Sequence, residues 1–219
     1  MLNKEGIKAV GFDLDECIYP SSPEINNRIR DEVAARILER NKQLKDVQGA
    51  RFYFEREYAK IGSGRKVLIA AGFEEREAGK IMDEAVSQAD ILDLISEDPT
   101  TARIIRKISE NYLTYLLTSS PNDSARNKLR AVGINPVVFR YMICSDTCGG
   151  LSKQEGHAFQ YALNQIGIPA ANHVYIGNSA KSDIAPAKAA GMQTIAVWSK
   201  INEADVSIMH IHDLEATLL

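Results

Sequence analysis

Ile7-Lys8-Ala9-Val10-Gly11-Phe12-Asp13-Leu14-Asp15-Glu16-Cys17-Ile18-Tyr19 decides how the rest of the chain is read. Its first half is a short apolar run, which predicts a strand over roughly residues 7–13. The run ends in two carboxylates separated by one residue. At the mouth of a strand such a pair can hold a divalent cation and leave one oxygen to attack an electrophile. Residues i and i+2 of an extended segment face the same side. Asp13 and Asp15 therefore share a site only while the chain stays extended, and a turn after Asp13 changes which atoms point inward. Asp-x-Asp also fits an ordinary turn in which a side chain bonds its own backbone. The pair alone does not choose.

Beyond it, Tyr19-Pro20-Ser21-Ser22-Pro23 breaks regularity, with Ser22 placed to cap a helix and Pro23 to begin it. Ile25, Ile29, Val33 and Ile37 recur every four residues among charges, predicting an amphipathic helix to about Arg40. Arg51 to Lys60 is aromatic-rich and helical in character. Lys66 to Ala71 is a short helix stopped by Gly72, and Glu74 to Ala89 is another, with its apolar face on Ala78, Ile81, Met82, Ala85 and Val86. Residues 20 to 92 thus read as an all-helical insertion, and residues 1–19 with 93–219 as the domain that receives it.

After residue 92 the pattern alternates. A helix opens at Asp98-Pro99. Tyr112 to Leu117 is a nearly continuous apolar strand, as buried parallel strands are, and ends at Thr118-Ser119-Ser120. Pro121 to Val132 is a helix closed by Gly133. Val137 to Phe139 and Met142-Ile143 suggest a strand region. A helix is expected over Lys153 to Ile166, a strand over His173 to Ile176, a helix over Asp183 to Ala190 and a strand over Thr194 to Val197. A weak final pair of elements follows around Val206–Ile208 and Asp213–Leu218. Alternation of this length predicts an α/β fold, a Rossmann-like parallel sheet flanked by helices. Ligands of such sheets sit at the carboxyl ends of the strands. That rule collects Asp13, Asp15, Thr118, Ser119, Asn178 and Ser179, with Lys153 and Asp183 at the starts of following helices.

Composition narrows the classes. The 219 residues are 45% hydrophobic, enough for a sizeable core. Basic and acidic residues number 26 and 29, a formal net charge of -3, which argues against a nucleic-acid polymer as partner. Cys17, Cys144 and Cys148 are too few and scattered for a disulfide framework, and Cys144-x-x-x-Cys148 has no histidine nearby to complete a zinc site. A reducing compartment follows. Lys4-Glu5-Gly6 interrupts any secretory leader, and no apolar run has the length of a membrane span. The expectation is a cytoplasmic monomer or homodimer acting on a small molecule. His210-x-His212 lacks a third ligand and reads as structural or exposed.

Carboxylates, a lysine and a hydroxyl together suit phosphoryl transfer. A metal and the lysine neutralise charge, while the hydroxyl and backbone N–H groups hold phosphate oxygens. At this point four stretches bear a resemblance to one family. Phe12-Asp13-Leu14-Asp15-Glu16-Cys17-Ile18-Tyr19 resembles the first motif of the haloacid dehalogenase-like hydrolases, a family dominated by metal-dependent phosphatases. Leu116-Leu117-Thr118-Ser119-Ser120 is similar to the second, Lys153 in Leu151-Ser152-Lys153-Gln154 to the third, and Gly177-Asn178-Ser179-Ala180-Lys181-Ser182-Asp183 to the fourth. The matches span essentially the whole chain in order.

The resemblance implies a phosphomonoester hydrolase that works through an aspartyl-phosphate with Mg2+. Asp13 would be nucleophile and metal ligand. Asp15 would be the general acid/base and give its backbone carbonyl to the metal. Thr118 would bind phosphate with help from the Ser119 backbone, and Lys153 would neutralise nucleophile and phosphate. Position 178 would complete the metal shell, and Asp183 would support the metal or orient Lys153. The insertion would be the family's helical cap. Ile18-Tyr19-Pro20 also looks like the branch containing pyrimidine 5′-nucleotidases, which makes a nucleotide or sugar phosphate the expected kind of substrate.

Three positions depart from the pattern. Cys17 stands where Thr or Val is usual and reads as a packing residue. Gln154 replaces a common proline. Asn178 replaces a carboxylate, so the metal should bind more weakly unless Asp183 compensates. Two alternatives stay open: a metal-independent 2-haloacid dehalogenase, and a catalytically weakened member that senses phosphate or binds protein. Asp15 speaks against dehalogenation, because an alcohol leaving group needs a proton and a halide does not. Arg51, Tyr53, Arg56, Tyr58 and Lys66 are candidates for contact with a base, sugar or second anion. Most of Phe52, Phe54 and Tyr58 should instead pack the insertion.

Overall fold

The computed structural model describes residues 2–149 and 151–219. Strand β1 (Ala9–Phe12) is fully buried. The chain then leaves the sheet for four helices, α1 (Pro23–Arg40), α2 (Val47–Ile61), α3 (Gly64–Ala70) and α4 (Glu75–Gln88). The first two starts are set by side chains that accept free N–H groups: Ser22 from Ile25 at 3.1 Å, Asp46 from Gly49 at 2.7 Å. Gly62, at φ 69°, ends α2 in the left-handed region that glycine enters without strain. These helices lie in one compact unit, Ser21–Leu94. Within it α1 packs on α2 and α4, burying Ile25, Ile29, Val33 and Ile37.

The other unit joins the residues up to Pro20 with Ile95–Leu219. It runs α5 (Pro99–Asn111), β2 (Leu113–Leu117), α6 (Asn122–Val132), β3 (Tyr141–Ile143), α7 (His157–Ile166), β4 (His173–Gly177), α8 (Ala185–Ala189), β5 (Gln193–Val197), β6 (Val206–Ile208) and α9 (Leu214–Leu218). The six strands form one parallel sheet in the order β3-β2-β1-β4-β5-β6. From β1 the chain builds outward on one side through β2 and β3, then returns to the other side at β4. The carboxyl end of β1 therefore lies at the switch point, the crevice where open α/β sheets bind ligands. Register places Phe12 beside both Leu116 and Ile176. Gly11 is required here, since a Cβ would lie 2.3 Å from Cζ of the buried Tyr115. Among the described residues no helix is long and apolar enough to cross a membrane.

Four local expectations change. The helix expected from Lys153 begins only at His157, because Gly156 at φ 80° interrupts it and leaves Lys153 on a preceding turn. Asp183 lies in a π-type turn, Ala180–Ile184, with Ile184 N donating to Ser179 O five residues back, before α8 begins. Residues 136–138 form a 3-10 turn, favoured by Pro136 and by Asn135 accepting from Val137 N, so the third strand is only Tyr141–Ile143. Among the aromatics, Phe54 is buried and stacks on Tyr58, whereas Phe52 is 67% exposed.

Candidate active site

Asp13 follows β1 and stays on the ladder, its N–H donating to Ile176 O at 2.9 Å. The backbone turns immediately afterwards. Cys17 and Ile18 N–H groups both return to Leu14 O, and Glu16 takes φ 56°. That turn is pinned from two directions: Trp198 Nε1 donates to Cys17 O at 2.9 Å, and the buried Cys17 thiol donates to Ile176 O at 3.6 Å. Burial, then the charge of Asp13, pushes the Cys17 thiol well above its ordinary range. It is a packing residue and not a nucleophile.

The two aspartates consequently enter different environments. Asp13 meets Lys153, whose Nζ donates to its Oδ1 at 2.7 Å. The same ammonium lies 2.6 Å from Asp183 Oδ1, a charge contact without hydrogen-bond geometry, and this buried oxygen has no hydrogen-bond partner. Asp183 Oδ2 accepts from Ser179 N at 2.8 Å. Asp183 reaches this place because position 177 is glycine: a Cβ there would lie 2.4 Å from that of Asp183. Burial raises the Asp13 carboxyl to about 7. Lys153 opposes the rise and the neighbouring Asp183 adds to it. Burial also disfavours the Lys153 charge, but the two carboxylates outweigh it and hold its pKa well above the usual lysine value.

Asp15 meets a different lysine. Lys128 Nζ donates to Asp15 Oδ1 at 2.5 Å, and Tyr19 Oη donates to the same oxygen at 2.7 Å. Ser120 Oγ donates to Oδ2 at 2.7 Å, with Thr118 Oγ1 at 3.5 Å. Lys128 and Ser120 also contact each other at 3.2 Å. Burial, followed by the Asp15 charge, raises the Tyr19 phenol far above its ordinary range, so it stays a donor.

The structure thus brings Asp13, Lys153 and Asp183 into direct contact, and joins Asp15 to Thr118 at the long end of hydrogen-bond reach. Ser119 is half-buried just beyond β2, and Asn178 half-buried just beyond β4. Lys128, Ser120 and Tyr19 were not anticipated as partners of Asp15. A signal for Lys128 existed: with Ala125, Leu129 and Val132 it shares the buried face of α6, where a lysine is out of place. The His210 and His212 rings meet at a tilt of 54°, centroids 4.1 Å apart, and His212 Nε2 contacts Asp98 at 2.9 Å.

Among the described residues no three His, Cys, Asp or Glu side chains are arranged to hold a metal. The ligands expected from the sequence, Asp13, the Asp15 carbonyl and the Asn178 amide, all offer oxygen. They suit a hard cation in kind, and Asp183 Oδ1, which has the Lys153 charge at 2.6 Å but no hydrogen-bond partner, shares that lysine with Asp13. Formally, three buried carboxylates face two buried lysines, so one negative charge remains to hold a cation.

The family model described as haloacid dehalogenase-like hydrolase matches residues 7–191. A glyceraldehyde 3-phosphate phosphatase of Methanocaldococcus jannaschii is 28% identical over 209 residues, covering 87% of this chain and 85% of the relative. Among solved structures, a HAD phosphatase from Thermococcus onnurineus aligns over 97% of this chain and 98% of its own at TM-score 0.62 and 22% identity. A 2-haloacid dehalogenase from Pseudomonas syringae aligns over the same shares at TM-score 0.57 and 22% identity. At that identity both establish the fold alone, and one fold carries both chemistries.

Proposed function

The chain belongs to the haloacid dehalogenase-like hydrolases, and from that premise we propose that it is a Mg2+-assisted phosphomonoester hydrolase working through an aspartyl-phosphate. One observation carries the choice over dehalogenation. A second buried carboxylate, Asp15, stands two residues after Asp13 and is built into the sheet end by its own set of donors. A halide departs without a proton, whereas an alkoxide does not.

In this reading Asp13 Oδ attacks phosphorus and the P–O bond to the leaving group breaks. Asp15, carrying a proton when the ester binds, gives it to the departing oxygen and later takes one from the water that cleaves the acyl phosphate, so that Asp13 ends as a free carboxylate and Asp15 again as a carboxylic acid. Lys153 holds Asp13 and the phosphoryl oxygens, with Thr118 and Ser119 binding further phosphate oxygens. Asp13, the Asp15 carbonyl and Asn178 would hold Mg2+, with Asp183 steadying Lys153. The bound ion would neutralise charge on the transferring phosphoryl group. The substrate is a small phosphorylated metabolite, a nucleotide or sugar phosphate, and the Methanocaldococcus relative's name adds a triose phosphate to that class.

The test is inorganic phosphate release from a panel of such esters and an aryl phosphate, with and without Mg2+. Release should require the metal and vanish in Asp13→Asn. Asn178→Asp restores a carboxylate, and should lower the Mg2+ concentration needed for half-maximal rate. Halide release from a 2-haloacid without metal, or no phosphate from any ester by the folded protein, would overturn the reading.

A further inference from the structure

We infer that Lys128 is a positioning residue of the reaction, which fixes the carboxylate of Asp15 in one orientation; this rests on the role proposed above for Asp15. Lys128 is 1% exposed and lies on the inward face of α6, between Ala125 and Val132. Packing alone gives no reason for an amine there. Stripping an ammonium of water is expensive, and an apolar side chain of similar volume commonly serves a core as well or better. The amine finds its partners in Asp15 at 2.5 Å and Ser120 at 3.2 Å.

The geometry explains what the amine does. Lys128 and Tyr19 both donate to Asp15 Oδ1, while Ser120 donates to Oδ2. A carboxylate gripped at both oxygens cannot rotate about its Cβ–Cγ bond without breaking a charge-assisted hydrogen bond. The donors come from three places: the turn after β1, the loop after β2, and the middle of α6. Asp15 is therefore referenced to the sheet end and to α6 as well as to its own turn, where Glu16 occupies a left-handed conformation. A proton-transferring group must stand within hydrogen-bond reach of the ester oxygen and then of water. Lys128 confers that placement without touching phosphate.

The test compares Lys128→Met and Lys128→Arg with the wild type on one aryl phosphate. Lys128→Met should lower kcat about 10²-fold, the usual penalty of a misplaced group, with KM nearly unchanged. Lys128→Arg should recover most of the loss. In an Asp15→Asn background Lys128→Met should have no further effect on kcat, since it acts only through Asp15. An equal loss in both backgrounds, or a change confined to KM, would overturn the inference. A crystal structure of Lys128→Met supplies an arm that needs no turnover: a carboxylate that has rotated or spread over two orientations supports the inference, and one that keeps its orientation refutes it. If the wild type releases no phosphate, the proposed function fails while this arm still decides the role of Lys128.

Discussion

The two aspartates at the end of β1 are two residues apart, yet their surroundings differ in kind. Asp15 is met by the Lys128 ammonium and has hydroxyl donors on both oxygens. Asp13 shares its lysine with Asp183, and one oxygen of that second carboxylate lacks a hydrogen-bond partner. The first is a satisfied network, which holds a group in one pose. The second is short of positive charge. That is the condition under which an incoming cation is stabilising, and under which an anionic nucleophile is kept reactive by incomplete solvation. Neutralising each aspartate in turn should therefore have opposite consequences for stability.

The largest effect belongs to Asp15→Asn. It leaves the Lys128 ammonium buried without its counter-charge, and breaking one side of a buried pair typically costs about 3–5 kcal/mol. Urea denaturation at neutral pH measures it. A loss below about 1 kcal/mol would show that Asp15 is no better satisfied than Asp13, and the contrast would collapse.

Asp13→Asn should do the reverse in metal-free protein. The carboxyl of Asp13 is raised from 3.8 to about 7, first by burial. Between those values the folded state binds a proton that the unfolded state has lost, so stability falls as pH rises through the window. Below about 4 both states are protonated, and above about 7 the penalty is complete. Asparagine carries no such penalty, and Lys153 keeps Asp183 as its partner. The variant should therefore match the wild type near pH 4 and exceed it above pH 7, by on the order of 4 kcal/mol, the shift from 3.8 to about 7 converted to free energy. Denaturation curves at several pH values with a chelator present decide this, and a gap that does not widen with pH would contradict the assignment.

Gly177→Ala tests the Asp183 side alone. The new Cβ would meet Asp183 at 2.4 Å and push the carboxylate away from Lys153. Overpacking of this kind costs about 1–3 kcal/mol. Phosphate release should fall with it, whereas the Asp15 network, which makes no contact with position 177 among the bonds described, should remain intact in a crystal structure. Full activity would mean that Asp183 has no part in holding Lys153.

How much of this was readable beforehand follows from which forces are local. Hydrophobic periodicity and turn residues are local, and they were enough for the alternating elements, for the Ser22 cap and Pro23 start of α1, and for the parallel α/β class. The rule that ligands gather at strand ends was enough to collect Asp13, Lys153 and Asp183, residues up to 170 positions apart, which the structure places in contact. What escaped depends on backbone states that composition does not display. Gly156 reads as an ordinary helix residue until its positive φ is known, so the sequence pattern puts Lys153 on a helix where the structure has a turn. The π-type turn at Ala180–Ile184 has no distinguishing periodicity over five residues. Lys128 is different, because its position on an apolar face was visible all along. Only its partner was hidden, since Asp15 lies 113 residues away. The finer assignment of roles rests on chemistry that the fold shares with dehalogenases, which is why it stands as a proposal with its own test.

The smallest effect sharpens the comparison most finely, because it asks whether Asp15 is a node or merely a neighbour. Tyr19 donates to one of its oxygens and Ser120 to the other, each at 2.7 Å. A hydrogen bond to a charged group contributes about 1.5–3 kcal/mol. Tyr19→Phe and Ser120→Ala each leave Lys128 and one hydroxyl in place, so each should fall near the low end, about 1.5 kcal/mol by urea denaturation. If both act by gripping one carboxylate, removing the second donor after the first is not the same event as removing it alone: Asp15 has already begun to turn, and the remaining donor grips it less well. The double variant should then deviate from the sum of the single ones by at least about 0.5 kcal/mol, as residues sharing a partner do. Strict additivity would mean that the two hydroxyls satisfy Asp15 independently, and that the orientation of its carboxylate belongs to Lys128 alone.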